Sequence, residues 1–149
     1  MLSRVLPPQA AAPSPTPLTP QTPPINEDRL VDTFLHLTQI PGPTGNERKV
    51  ADELKKQLGS LGLTVTEDDA AKKVHGNTGN LLVNIPGNVP GAPTLLFASH
   101  MDTVPLAVGC RPIREGDVIR TDGSTALCGD CRAGCSELLE ATPKIPAGS

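Results

Sequence analysis

Neither tryptophan nor tyrosine occurs in the 149 residues, and phenylalanine appears only at Phe34 and Phe97. Any core must therefore be aliphatic, without the large area that buried rings supply. No apolar run approaches the ~18 residues of a membrane-spanning helix. Basic residues form no block, and 13 Lys and Arg against 16 Asp and Glu leave a formal net charge of −3. That balance argues against nucleic acid or a membrane surface as a partner. Cysteine is confined to the last third, at Cys110, Cys128, Cys131 and Cys135. Met1 to Leu6 is too short and too sparse in apolar residues for a signal-peptide core. The expected location is cytoplasmic, where thiols are reduced or bind metal rather than pair as disulfides.

Proline, by contrast, is abundant and unevenly spread. Residues 1–24 hold eight of the 17 prolines, among Ala, Ser, Thr and Gln. Such a segment has few backbone donors for a helix or a ladder and little apolar surface to offset its ordering entropy. We expect a disordered leader over 1–24, one folded unit over 25–142 and a disordered tail over 143–149. The length suits one ordinary domain and not two.

The folded region opens with a helical signature. Asn26 is a good N-cap, Glu27 and Asp28 suit the positive end of a helix, and Leu30, Val31, Phe34 and Leu37 recur at helical spacing. Pro41 and Pro43 end that helix by Ile40. Thr44 and Glu47 stand at capping-box spacing before a second helix with Val50, Leu54, Leu58 and Leu61 as its buried stripe. Gly62 supplies its stop. Residues 63–67 alternate as a half-buried strand, 68–79 read as a polar turn region, and 80–85 (NLLVNI) as another strand. After the turn PGNVPGAP, Thr94 to Ala98 predicts a short buried strand opening into a loop at Ser99 to Thr103. Val118 to Thr121 predicts a further short strand, and GDCRAG (129–134) a loop ahead of a short helix with Leu138, Leu139 and Ala141. This order predicts an α/β fold, a layered mixed sheet flanked by helices.

Chemistry concentrates where the 94–98 strand ends. In an open α/β sheet the carboxyl ends of strands carry the site, and there the sequence reads SHMDTVP (99–105). A neutral imidazole at His100 is a transition-metal ligand, and a carboxylate at Asp102 would hold its tautomer. On spacing alone the same three residues also suit an ordinary strand-end loop. Asp130 is a carboxylate that either binds a cation or caps the helix after it. Cys128, Cys131 and Cys135 form C-x-x-C-x-x-x-C, which supports either a zinc or iron–sulfur site or unligated thiols. His36 reads as a structural or surface residue, and His75 and the Asp68–Asp69 pair as solvated.

The longer pattern carries more information. SHMDTVP, together with INEDRLVDTFLHLTQIPGPTGNERKVADELKKQLGSLGLTV and GNTGNLLVNIPG before it, resembles the N-terminal part of the peptidase T-like aminotripeptidases, within the larger family of two-zinc peptidases and deacylases. The resemblance runs from about Ile25 to about Ala141. It implies the N-terminal part of a two-zinc exopeptidase catalytic domain acting on small peptides, with His100 binding one zinc and Asp102 as the catalytic group beside it. CGDCRAG would place the zinc-bridging carboxylate at Asp130. Three positions depart from the usual GADDKAG loop: Cys128 for glycine, Cys131 for the second aspartate and Arg132 for lysine. The family's paired glutamates and later ligands match nothing here, Glu137 and Glu140 included. We therefore expect an incomplete catalytic domain, a truncated and inactive chain with at most partial zinc binding. The rival expectation is a non-catalytic metal-binding or interaction module built on Cys128, Cys131 and Cys135.

Overall fold

The structure, a computed structural model, describes residues 24–144. The expected leader and most of the expected tail lie outside those residues.

Helix α1 (Glu27–Thr38) begins as its sequence dictates, with the Asn26 side chain accepting from the Arg29 amide at 2.9 Å. Its start is also tied to the far end of the described chain. Glu140 accepts from the Asn26 amide at 2.8 Å and from Arg29 Nε at 2.6 Å. These bonds clamp α1 to helix α4 (Gly129–Ala141), against which it packs. Glu140 is only 5% exposed, and a carboxylate that deep needs such donors to offset its lost hydration.

Helix α2 (Arg48–Ser60) buries Val50, Ala51 and Leu54 and closes at Gly62 (φ 79°), as expected. Two details differ from the sequence reading. Leu61 is 41% exposed, outside the buried stripe. The capping box does not form either, because Glu47 accepts from the Gly45 amide at 2.6 Å while the Thr44 hydroxyl is engaged elsewhere. Leu37, Val50, Leu54, Cys135 and Leu139 make the core, with Ile40, Leu58, Leu81 and Met101 packed against it. The core is aliphatic, as the scarcity of aromatics requires, and each fully buried Leu or Val contributes about 2 kcal/mol.

The chain is mixed α/β. Among the described residues its strands form two separate antiparallel pairs, where the sequence reading expected one layered sheet. β1 (Val65–Glu67) pairs with β2 (Leu81–Val83), and between them lies one short helix, α3 (Ala71–Val74), within the expected turn region. Glu67 holds this pair to α2. It accepts from Arg48, Lys55, the Thr78 hydroxyl and the Gly79 amide, and the Arg48 guanidinium first, then the Lys55 ammonium, holds its carboxyl far below the usual range. β3 (Pro112–Glu115) and β4 (Val118–Thr121) form a hairpin whose two-residue loop is Gly116-Asp117, Gly116 at φ 61°. β4 was expected, whereas β3 opens with a proline and reads weakly as a strand.

The largest departure is at Thr94 to Ala98. This segment is no strand, and Leu95, Leu96 and Phe97 are 73%, 89% and 66% exposed. Among the described residues it makes no backbone–backbone hydrogen bond. An apolar run becomes a buried strand only when neighbouring strands take up its amides and carbonyls, and no described strand pairs with it.

Helix α4 begins at Gly129, earlier than expected, so GDCRAG is its opening rather than a loop before it. The chain then continues as a 3-10 turn over Thr142–Lys144, past the expected boundary of the folded unit.

Candidate active site

The site lies where three stretches meet: the loop after α1, the segment 99–103 and the first turn of α4. Thr103 donates to Gly42 O at 2.8 Å and the Thr44 amide donates to Thr103 O at 3.3 Å, a parallel bridge that lays loop 42–44 along 101–103. From the other side Arg132, fully buried, donates to Met101 O at 2.9 Å and Ile40 O at 3.1 Å. Ser99 Oγ donates to Cys131 O at 3.3 Å, and the Cys135 thiol donates to His100 O at 3.5 Å. Gly134 permits this approach, since a Cβ there would meet Ser99 Oγ at 2.5 Å.

Fixed in this way, the two residues of the H-x-D motif reach each other. His100 Nδ1 and Asp102 Oδ1 are 2.8 Å apart, a contact that i, i+2 spacing alone left open. The other carboxylate oxygen of Asp102 accepts from Thr44 Oγ1 at 2.6 Å. The Thr44 hydroxyl, then the imidazole, holds the Asp102 carboxyl below its ordinary value. His100 Nε2 faces Asp130 Oδ2 at 3.3 Å. The Asp102 hydrogen bond, opposed by partial burial and assisted by Asp130, raises the His100 pKa. The structure thus brings His100, Asp102 and Asp130 together across 30 residues of sequence.

Asp130 is not the cap of its helix. Cys128 holds that position, in the left-handed region at φ 64° and with no side-chain capping bond. The Asp130 side chain is 94% exposed and lies in the first turn, where the helix dipole favours an anion. Capping-box spacing accounts for Thr44 in the sequence, and a hydroxyl beside Pro43 in the loop between α1 and α2, 58 residues from Asp102, is a weak signal for a site residue.

The donor set suits a divalent cation. With Asp102 accepting the Nδ1 proton, Nε2 of a neutral imidazole is a lone pair facing another carboxylate, and two acceptors face each other only around a proton or a cation. The set is also small. Among the described residues no group of three or more His, Cys, Asp or Glu side chains converges to hold a metal. The cysteines do not supply one: Cys110 donates to Leu127 O, Cys131 to Cys128 O and Cys135 to His100 O. Burial raises the Cys131 thiol to about 11 and the Cys135 thiol in the same direction. His36 pairs with Glu53 at 3.0 Å on the surface, and His75, exposed at the end of α3, borders the same groove as His100 and Asp102. Asp68 accepts from the Ala70 and Asn80 amides, a turn-forming role. A groove of about 1070 Å³ runs beside His100 and Asp102, bounded by Leu54, Leu81, Phe97 and Leu139.

No family model matches the chain. Individual proteins do. The uncharacterized protein YqjE of Bacillus subtilis is 38% identical over 117 residues, covering 78% of this chain and 31% of that protein. Peptidase T of Escherichia coli is 29% identical, over 81% of this chain and 40% of its own length. Among solved structures, a tripeptidase from Staphylococcus aureus is 41% identical with a TM-score of 0.73, and aminopeptidase PepT from Bacillus cereus is 36% identical with a TM-score of 0.76. Each match covers 81% of this chain and 32% of the other. The chain thus spans about a third of the length of these relatives. Over that span, in sequence and in fold, it is peptidase T-like.

Proposed function

We propose that this chain carries the N-terminal half of a two-zinc aminopeptidase site for small peptides, with His100 and Asp130 as metal ligands and Asp102 as the positioning carboxylate. The observation that carries the reading is the line Thr44, Asp102, His100, Asp130, joined at 2.6, 2.8 and 3.3 Å. The likeness to a tripeptidase and to PepT supports it from outside.

Each residue has a distinct part. Thr44 fixes the Asp102 carboxylate, Asp102 holds the His100 tautomer, and Nε2 is left as a ligand beside the Asp130 oxygens. Zinc, when bound in such a site, lowers the pKa of a water and polarises a peptide carbonyl. Catalysis also requires a general base, and zinc prefers about four ligands. The 149 residues contain no adjacent pair of glutamates, and His100 and Asp130 are the two ligands proposed among the described residues. Measured alone, the chain therefore binds zinc weakly and hydrolyses no tripeptide. His100-dependent, zinc-stimulated release of an N-terminal residue from a tripeptide by the purified 149 residues would contradict this. The alternative, a metal module on Cys128, Cys131 and Cys135, predicts zinc binding that survives His100→Ala and is lost in Cys128→Ser/Cys131→Ser.

A further inference from the structure

The two cysteines that depart from the usual loop stand on either side of Asp130. Cys128 is the N-cap of α4 and is partly exposed; Cys131, in the first turn, is 2% exposed. Its sulfur already lies on the residue 128 side, 3.9 Å from Cys128 O. One accessible and one buried cysteine, three residues apart at a helix N-terminus, is the arrangement used by dithiols that open and close. Of the remaining thiols, Cys110 is held on Leu127 O, next to Cys128, and Cys135 on Ser99 and His100.

We propose that Cys128 and Cys131 close to a reversible disulfide by exchange with a low-molecular-weight disulfide, forming a redox-sensitive ring around Asp130. Cys128, the accessible thiol, releases its proton and attacks one sulfur of the small disulfide, and the displaced thiolate takes up a proton. Cys131 then releases its proton and attacks the Cys128 sulfur of this mixed disulfide. The second small thiolate leaves and is protonated. Two protein thiols are oxidised to one disulfide, and one small disulfide is reduced to two thiols. The ring encloses Gly129 and Asp130, so its state acts on the turn that presents the Asp130 carboxylate. The loop closed is among the shortest available, which favours it over a bridge to Cys110, far in sequence although its thiol lies 3.6 Å from Leu127 O and is the competing partner.

The sequence makes the test direct, because trypsin cuts after Arg120 and Arg132 and releases both cysteines in one peptide, residues 121–132. The full chain, reduced and freed of reductant, is incubated with oxidised glutathione, its remaining thiols are alkylated, and it is digested. The expected result is an unalkylated 121–132 peptide lighter by two hydrogens than its dithiol form, recovering both thiols with dithiothreitol, while Cys110 and Cys135 are alkylated. In Cys131→Ser the expected product is instead a lasting glutathione adduct on Cys128, since the resolving thiol is gone. The proposal is overturned by two alkylated cysteines in 121–132, by a cross-link from that peptide to Cys110 or Cys135, or by absence of the adduct in Cys131→Ser. None of these readouts depends on metal binding.

Discussion

Residues 94–98 (TLLFA) and 99–103 (SHMDT) are consecutive, and the fold treats them oppositely. The first shows Leu95, Leu96 and Phe97 to solvent. The second is fastened to Gly42, Thr44, Arg132 and Cys135 by bonds from both sides. Apolar content would predict the reverse, since 94–98 carries Leu95, Leu96, Phe97 and Ala98 whereas 99–103 carries only Met101. What separates them is whether each backbone group finds a partner, and the partners of 99–103 come from α4 and from the loop after α1. The consequence is functional. The half that is fastened is the half that holds His100 and Asp102.

This contrast can be broken from the fastened side. Arg132→Met removes the donors to Met101 O and Ile40 O while roughly keeping the volume, and leaving two carbonyls unpaired should cost about 3 kcal/mol in urea unfolding. The same variant should lengthen the His100–Asp102 contact, seen as a fall in the His100 pKa by NMR titration. A loss below about 1 kcal/mol would mean that Arg132 is not what anchors the segment. Next in size, Gly134→Ala drives a methyl against Ser99 and should cost about 2 kcal/mol, most of it recovered in Gly134→Ala/Ser99→Ala. Gly59→Ala is its control. That position in α2 has nothing within 4 Å of an added Cβ, so the substitution should stabilise by about 0.5 kcal/mol through helix propensity. Smallest of all, Leu96→Ser should change stability by about 0.5 kcal/mol or less, as at any exposed position. A cost near 2 kcal/mol there would show that 94–98 is packed in solution.

Much of this was legible in the sequence, and the misreadings share a cause. The start and stop of α1 and the stop of α2 followed from Asn26, Pro41 and Gly62, whose effects are local. The three candidate site residues are named by the resemblance, in identity alone. Their geometry was not legible, because the Asp102–His100 contact depends on Thr44, 58 residues from Asp102. The strand expected at 94–98 failed because its apolar pattern is half of the requirement, a neighbouring strand being the other half. Thr44 and Glu47 had capping-box spacing but were claimed by Asp102 and Gly45. GDCRAG looked like a loop because two glycines in six residues weaken a helix, yet Gly134 is needed for α4 to meet Ser99. The β3–β4 hairpin was missed although Gly116-Asp117 is a recognisable two-residue turn, because Pro112, Arg114 and Glu115 dilute the strand pattern before it.

The central claim is that His100 offers Nε2 to a metal beside Asp130, with Asp102 holding Nδ1. The chain has three histidines, His36, His75 and His100, so imidazole nitrogen resonances can be assigned by single substitutions. The most direct measurement is a zinc titration of the nitrogen-15 histidine spectrum. The account predicts that His100 alone responds, with Nδ1 remaining protonated and Nε2 shifting to the metal-bound position, and that Asp130→Asn weakens the response. Zinc that leaves His100 unmoved, or binds it through Nδ1, would contradict it.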